Sequence, residues 1–386
     1  MKVLSMAWTI YDDKMKEFCN NYTGGGLVIK NICEYIGRKE DSFLFIGKCH
    51  LAEQKIGNIN FVATDYKISD NDSDAVKDES YLANMTKKFE IALEKINPDI
   101  VNFHGIGELM QRCIAICIKK RVPYVYTEHL FISKEKDFEG YDSNVALEEQ
   151  LYHIPDLKII AVSSGVKIKI LKDFPFIQEE NIRVIKNGTD FIPDFKNGMV
   201  HTEYNLEGKK VLLCVGTIVN RKNQLQVVRA YQLLPPDIRQ KVKILFCGKD
   251  NMDGMLQNKI CEAGLKGKLI YVGAISSEMM KEFYSEADGL IMPSFAEGLS
   301  IAALEGMAYG LPVIMFSDSE CAQDLNDENI VSFAKERSDL CLAKAIEEWY
   351  QKEWDRKYIV EYSRSFSMEQ MADNYIKYYR EQIINS

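Results

Sequence analysis

Two glutamates, Glu297 and Glu305, carry the clearest chemistry in this chain. They lie in IMPSFAEGLSIAALEGMAYGLPVI, residues 291–314. An apolar run ends at Pro293, and a short loop holds Ser294, Glu297 and Gly298. A helix is predicted from near Ser300 to Gly310, because Gly commonly follows a helix end and Pro312 blocks continuation. Its start turns the backbone N–H groups of Leu299, Ser300 and Ile301 outward, an arrangement that favours an anion, most often a phosphate. Glu297 sits just before that terminus. Glu305 lies inside a small, apolar stretch, where a carboxylate calls for a hydroxyl or a cation. Ribose hydroxyls would suit it; a solvated helix face is the plain alternative.

A second segment, CVGTIVNRKNQ (214–224), ends an apolar run at Gly216 and places Arg221 and Lys222 before the next helix. Cations at a helix start oppose its dipole and so want a reason to be there. Fixed cations are what a leaving diphosphate needs, since they stabilise its developing charge. In the first half, YTGGGLVIKNICEYIG (22–37) brings three glycines into a helix, and glycine lets another group approach the backbone. His104 closes the run PDIVNFH, and Glu128 with His129 closes VPYVYTEH. Carboxyl ends of parallel strands line ligand crevices. HGIGELM (104–110) is only a partial GxGxxG, with Met110 in the third position.

These residues need elements to hold them. Apolar runs at 3–8, 42–47, 59–64, 99–103, 123–127 and 157–163 alternate with helical stretches at 24–37, 81–96 and 111–120. The pattern restarts at 211–217, 243–248, 269–273, 289–293 and 311–316. Continuous apolar runs separated by helices predict parallel sheets covered on both faces. Turn signals in KNGTDFIPDFKNGMV put a domain boundary near 198, giving domains 1–198 and 199–365. The tail 366–386 reads as an amphipathic helix. With 386 residues, each half is large enough for its own core.

Composition narrows the function. Lys plus Arg is 48 against 57 Asp plus Glu, a net charge of −9, which argues against a nucleic-acid partner. No apolar run reaches the roughly 20 residues needed to span a bilayer, and MKVLSMAW does not read as a signal peptide. The 10 cysteines form no CxxC pair, and the five histidines do not join them at metal spacing. They read as buried, reduced thiols of a cytoplasmic protein. Asp70-x-Asp72-x-Asp74 reads as a solvated loop rather than a metal site.

Glu297 and Glu305 with seven residues between them, followed by AYGLPVI, resemble the EX7E motif of retaining glycosyltransferases. The closest resemblance is to glycosyltransferase family 4, the "glycosyl transferases group 1" type, and it runs through nearly the whole chain. AVSSGVKIKIL (161–171), IRVIKNGTD (182–190) and the segments ending at Gly248 and Gly273 follow the family's order. The resemblance implies the α/β GT-B fold: two Rossmann-like domains facing across a cleft, with the last helix crossing back to the first. It implies a nucleotide-sugar donor, a UDP- or GDP-sugar, on the C-terminal domain, and a sugar, lipid-linked or other acceptor on the N-terminal one. Arg221, Lys222, Glu297 and His129 then take catalytic roles. Gly25, Gly26, Gly216, Leu299, Ser300, Ile301 and Glu305 hold the donor, and His104 lines the acceptor side. The sequence departs from the family at Thr217, where the first Arg often stands, and at Asn223, which replaces a Gly.

No dedicated base is evident, and the departing phosphate oxygen can take the acceptor's proton in such enzymes. Two cations stand in for a divalent ion, so no metal and no cofactor are expected. Two other readings share the scaffold: a nucleotide-sugar 2-epimerase and a non-catalytic nucleotide-sugar-binding protein. GVKIKILKDF (165–174) alternates Lys with apolar residues and, with KKR (119–121), is the surface a peripheral membrane contact would use.

Overall fold

The computed structural model of the chain describes residues 1–10, 24–47, 52–64, 79–131, 142–190 and 198–385. The acidic stretch 69–74 lies outside the described residues. Two compact units result: Met1–Asn187 with Met368–Ser386, and Gly188–Ser367. The break at 187 comes ahead of the expected 198, and the return comes at 368 rather than 366. The reason is local. The Thr189 N–H donates to the Phe366 carbonyl at 2.7 Å, and Thr189 bridges Ser367 in parallel. Those bonds already tie the segment after residue 187 to the second unit.

Among the described residues, the first unit is built on eight strands: β1 (Lys2–Ala7), β2 (Asp41–Ile46), β3 (Gln54–Ile56), β4 (Ile59–Phe61), β5 (Ile100–His104), β6 (Tyr124–Glu128), β7 (Ile159–Ala161) and β8 (Ile182–Val184). Their order is β3-β4-β2-β1-β5-β6-β7-β8, and only β3 runs antiparallel to its neighbour. β5 is buried at every position, as a strand covered on both faces must be. Leu4 and Met6 of β1 join one apolar cluster with the helices Glu79–Ile96 and Glu108–Lys120. Ala7 joins a second cluster with Ile29 and Cys33 of the helix Gly24–Ile36. Side chains alternate across the sheet, so neighbouring residues feed opposite cores.

The terminal helix Met368–Ile384 belongs to this unit and packs against the helix Gly24–Ile36. Its Tyr375, Tyr378 and Tyr379 are buried. Tyr379 reaches the sheet through a polar chain. The Thr127 hydroxyl donates to Asn102 Oδ1 at 2.8 Å, and Asn102 Nδ2 donates to the Tyr379 hydroxyl at 2.6 Å. All three residues are buried, so each polar atom depends on the next.

Among the described residues, the second unit has six strands, all parallel: β9 (Lys210–Val215), β10 (Val242–Cys247), β11 (Leu269–Gly273), β12 (Gly289–Met292), β13 (Val313–Phe316) and β14 (Val331–Ala334). Their order is β11-β10-β9-β12-β13-β14. In chain order this is 3-2-1-4-5-6, the doubly wound Rossmann arrangement. The order reverses between β9 and β12, and ligands bind such sheets beyond the carboxyl ends at that reversal. The loops after these two strands carry Gly216 to Lys222 and Ser294 to Ser300.

The buried chain Thr127–Asn102–Tyr379 should be sensitive to a single oxygen. Tyr379→Phe strands the Asn102 amide and should lower unfolding stability by about 1–3 kcal/mol. Lys377→Ala, on the exposed face of the same helix, should stay within about 0.5 kcal/mol of the parent. Urea unfolding of both variants checks this.

Candidate active site

After β9 the chain passes Gly216, at φ +138°, a backbone setting that favours glycine. A Cβ there would lie 3.2 Å from Lys222 Cε, so the missing side chain lets Lys222 run closely over the backbone. Arg221 and Lys222 sit in the single turn Asn220–Lys222, which ends at Asn223 with φ +55°. Asparagine is among the few side chains that accept this left-handed setting, so it can stand where the family pattern has glycine. Asn223 Nδ2 also donates to the Pro293 carbonyl at 3.1 Å, joining this turn to the loop after β12.

That second loop holds Glu297. The helix behind it, Ile301–Ala308, lies unusually close to β12: a Cβ on Gly306 would meet Leu290 Cδ1 at 2.1 Å. The helix ends at Gly310, whose φ of +76° and N–H bond to the Met307 carbonyl close the last turn. Leu299 and Ser300 are buried at the helix start, and the Ser300 hydroxyl makes no capping bond to it. Ile301 is the first residue of the helix, and Leu299 and Ser300 lead into it from the loop that carries Glu297.

The structure brings Arg221, Lys222 and Glu297 into one ion-pair group. Lys222 Nζ donates to Glu297 Oε1, and Arg221 Nη1 lies 3.5 Å from the same oxygen. The Ser294 hydroxyl donates to it at 2.9 Å. Glu297 is 7% exposed. Burial pushes its carboxyl upward, but the Lys222 and Arg221 charges outweigh burial and hold it below the ordinary carboxylate range.

Three further contacts set the loop backbone. Arg221 Nη1 donates to the Ala296 carbonyl at 2.6 Å, Arg337 Nη1 to the Ser294 carbonyl at 2.8 Å, and the Glu297 N–H to Glu320 Oε2 at 3.0 Å. Sequence reasoning missed Glu320 and Arg337, which reach in from after β13 and β14 with no local spacing to mark them. Ser294 was legible, three residues before Glu297 in the same loop. Glu305 accepts a 2.8 Å hydrogen bond from the Tyr284 hydroxyl. Burial pushes its carboxyl up to about 7, against the lowering effect of that bond.

In the first unit, Gly25 and Gly26 lie in the opening turn of the helix Gly24–Ile36. Among the described residues, nothing comes within 4 Å of a Cβ placed on Gly25. His104 and His129, from the ends of neighbouring β5 and β6, meet at 3.0 Å through His104 Nδ1 and His129 Nε2. Burial pushes His129 down to about 4, and burial with the neighbouring His129 holds His104 well below the usual imidazole range. Both rings are then neutral at pH 7, one donating and the other accepting. Their outer nitrogens, His104 Nε2 and His129 Nδ1, are buried and unpartnered among the described residues. Glu128 points elsewhere, accepting from the Tyr152 hydroxyl at 2.6 Å and the Tyr126 hydroxyl at 3.2 Å. Burial raises its carboxyl to about 7. Among the described residues no group of three or more His, Cys, Asp or Glu is placed to hold a metal ion.

Two family descriptions match the chain in succession: "Glycosyltransferase Family 4" over residues 73–191 and "Glycosyl transferases group 1" over 201–366. The O-antigen chain mannosyltransferase B of Escherichia coli is 26% identical over 178 residues, 45% of this chain and 47% of that protein. The chain spans about half the length of the curated relatives it matches. Among solved structures, the sucrose-phosphate synthase of Thermosynechococcus elongatus superposes with a TM-score of 0.74 at 16% identity, covering 100% of both chains. Anabaena Alr3699/HepE, solved with UDP and glucose, superposes with a TM-score of 0.70 at 14% identity, covering 99% of this chain and 100% of that one. These likenesses show the fold. The family matches, over residues 73–191 and 201–366, identify the chain as a glycosyltransferase of the family 4, group 1 type.

Proposed function

We propose that the chain is a retaining glycosyltransferase that moves a sugar from a nucleotide-sugar donor to an acceptor hydroxyl. The observation that carries this reading is a meeting of charges at one place. Where the strand order of the second unit reverses, Arg221 and Lys222 follow β9, while Glu297 and an amide-bearing helix start follow β12. A diphosphate fits the cations and the Leu299–Ile301 amides. Glu305 accepts the ribose hydroxyls, and Glu297 accepts those of the sugar. The structural neighbour solved with UDP and glucose supports a donor of this class.

Charge builds on the diphosphate as the glycosidic bond breaks, and Arg221 and Lys222 stabilise that charge more than the ground state. The freed phosphate oxygen takes the proton of the acceptor hydroxyl. Gly216 keeps Lys222 close to the backbone and so limits where its ammonium can go. Gly25 and Gly26 serve the donor, and His129 and His104 serve the acceptor as a neutral pair. Two fixed cations do at the diphosphate what a divalent ion does elsewhere, so the reaction is read as metal-independent.

The acceptor is a sugar, a lipid-linked or another hydroxyl-bearing molecule of glycan or glycoconjugate synthesis. No helix among the described residues is long and apolar enough to cross a membrane. The helix Ser164–Asp173 buries Val166 and Ile170 but leaves Ile168 54% exposed, which suits peripheral contact at a bilayer surface.

Lys222→Ala should lower kcat/KM for the donor by about 10²–10³-fold, measured as donor turnover with a saturating acceptor. Full activity in Lys222→Ala and Glu305→Ala would contradict the site assignment. Turnover should be unchanged by EDTA. Glu305 accepts two hydroxyls only when ionised, so donor affinity should fall as pH drops through about 7. Glu305→Gln should bind the donor more weakly and lose this dependence between pH 6 and 8, read by calorimetric titration.

A further inference from the structure

We infer that Glu297 selects the intact donor over the nucleoside diphosphate left after transfer, by competing with the diphosphate for Lys222 and Arg221. The inference rests on the donor-site reading above. In the structure both cations are already engaged: Lys222 Nζ donates to Glu297 Oε1, and Arg221 Nη1 lies 3.5 Å from it. A diphosphate that draws the two cations to itself takes them from a carboxylate that is only 7% exposed. The Ser294 hydroxyl, at 2.9 Å, is then the side-chain donor remaining to it among the described residues. An ionised carboxylate left buried with so little compensation is strongly unfavourable.

Glu297 cannot turn to its own backbone for help. Its N–H is committed to Glu320 Oε2 at 3.0 Å, and that second buried carboxylate adds negative charge to the same loop. A sugar attached to the diphosphate changes the balance, because its hydroxyls donate to Glu297 in place of the cations. A free nucleoside diphosphate brings no such donors. The same residue therefore favours the sugar nucleotide on entry. Once the sugar has left, it reclaims Lys222 and loosens the spent diphosphate.

Calorimetric titration of the wild type and Glu297→Gln with UDP, GDP and ADP, each with and without an attached hexose, tests this. Glutamine keeps the size and one acceptor oxygen and removes the charge. For the nucleotide that binds, the wild type should hold the sugar nucleotide at least about tenfold more tightly than the diphosphate. Glu297→Gln should bind the diphosphate about tenfold more tightly than the wild type and lose the preference. Ser294→Ala leaves the charge in place and should not tighten diphosphate binding; tightening there would assign the effect to a loosened loop and overturn the inference. An unchanged or weaker diphosphate affinity in Glu297→Gln also overturns it, while the donor-site reading survives. A wild type that binds none of these nucleotides removes the donor-site reading and this inference together.

Discussion

The second unit is organised around one constraint: an ionised carboxylate in a nearly dry loop must have positive charge beside it. Glu297 meets that demand with Lys222 and Arg221. The demand propagates outward. Lys222 reaches the carboxylate because Gly216 lacks a side chain, and the turn that aims it closes through Asn223 in the left-handed region. The loop carrying Glu297 is held by Arg221 and Arg337 at its carbonyls and by Glu320 at its amide. Much of this loop's polar backbone is thus anchored by side chains from other elements, which is how a catalytic loop keeps its geometry without regular structure.

Topology explains why the charges meet. β9 and β12 are neighbours at the reversal of strand order, so the loops that follow them begin side by side, where such sheets bind ligands. The same arrangement recurs in the first unit, where β1 lies between β2 and β5 and His104 ends β5. A net charge of −9 is compatible with the proposed binding of a polyanion where positive charge is concentrated. On the proposed reading the cations that meet it are Arg221 and Lys222, both local and little exposed.

Much of the architecture was legible because buried parallel strands read as unbroken apolar runs. PDIVNFH and VLLCVGT needed no further signal. β8 and β14 were harder, since Ile182–Val184 and Val331–Ala334 span only three and four residues. Within the site, Glu297, Arg221 and Lys222 were legible because each sits in a loop or turn soon after a strand, and Glu305 because it is a carboxylate within an apolar helix. Their mutual contact was not, because pairing across β9 and β12 depends on strand order rather than on spacing. The His104–His129 bond has the same origin: 25 residues separate them, and only the pairing of β5 with β6 makes them neighbours. Glu320, Arg337 and Tyr284 come from distant elements and carry no local mark. The turn signals lie in the polar stretch and draw the boundary towards 198, whereas the compact units divide after Asn187 and Thr189 is bonded within the second unit.

The most direct test of the account is a crystal structure of the chain with an intact nucleotide-sugar bound. The account predicts that Lys222 Nζ moves from Glu297 to a diphosphate oxygen and that sugar hydroxyls take its place on Glu297. A bound nucleotide-sugar that leaves the Lys222–Glu297 pair intact, with its diphosphate away from Arg221 and the start of the helix Ile301–Ala308, would contradict it.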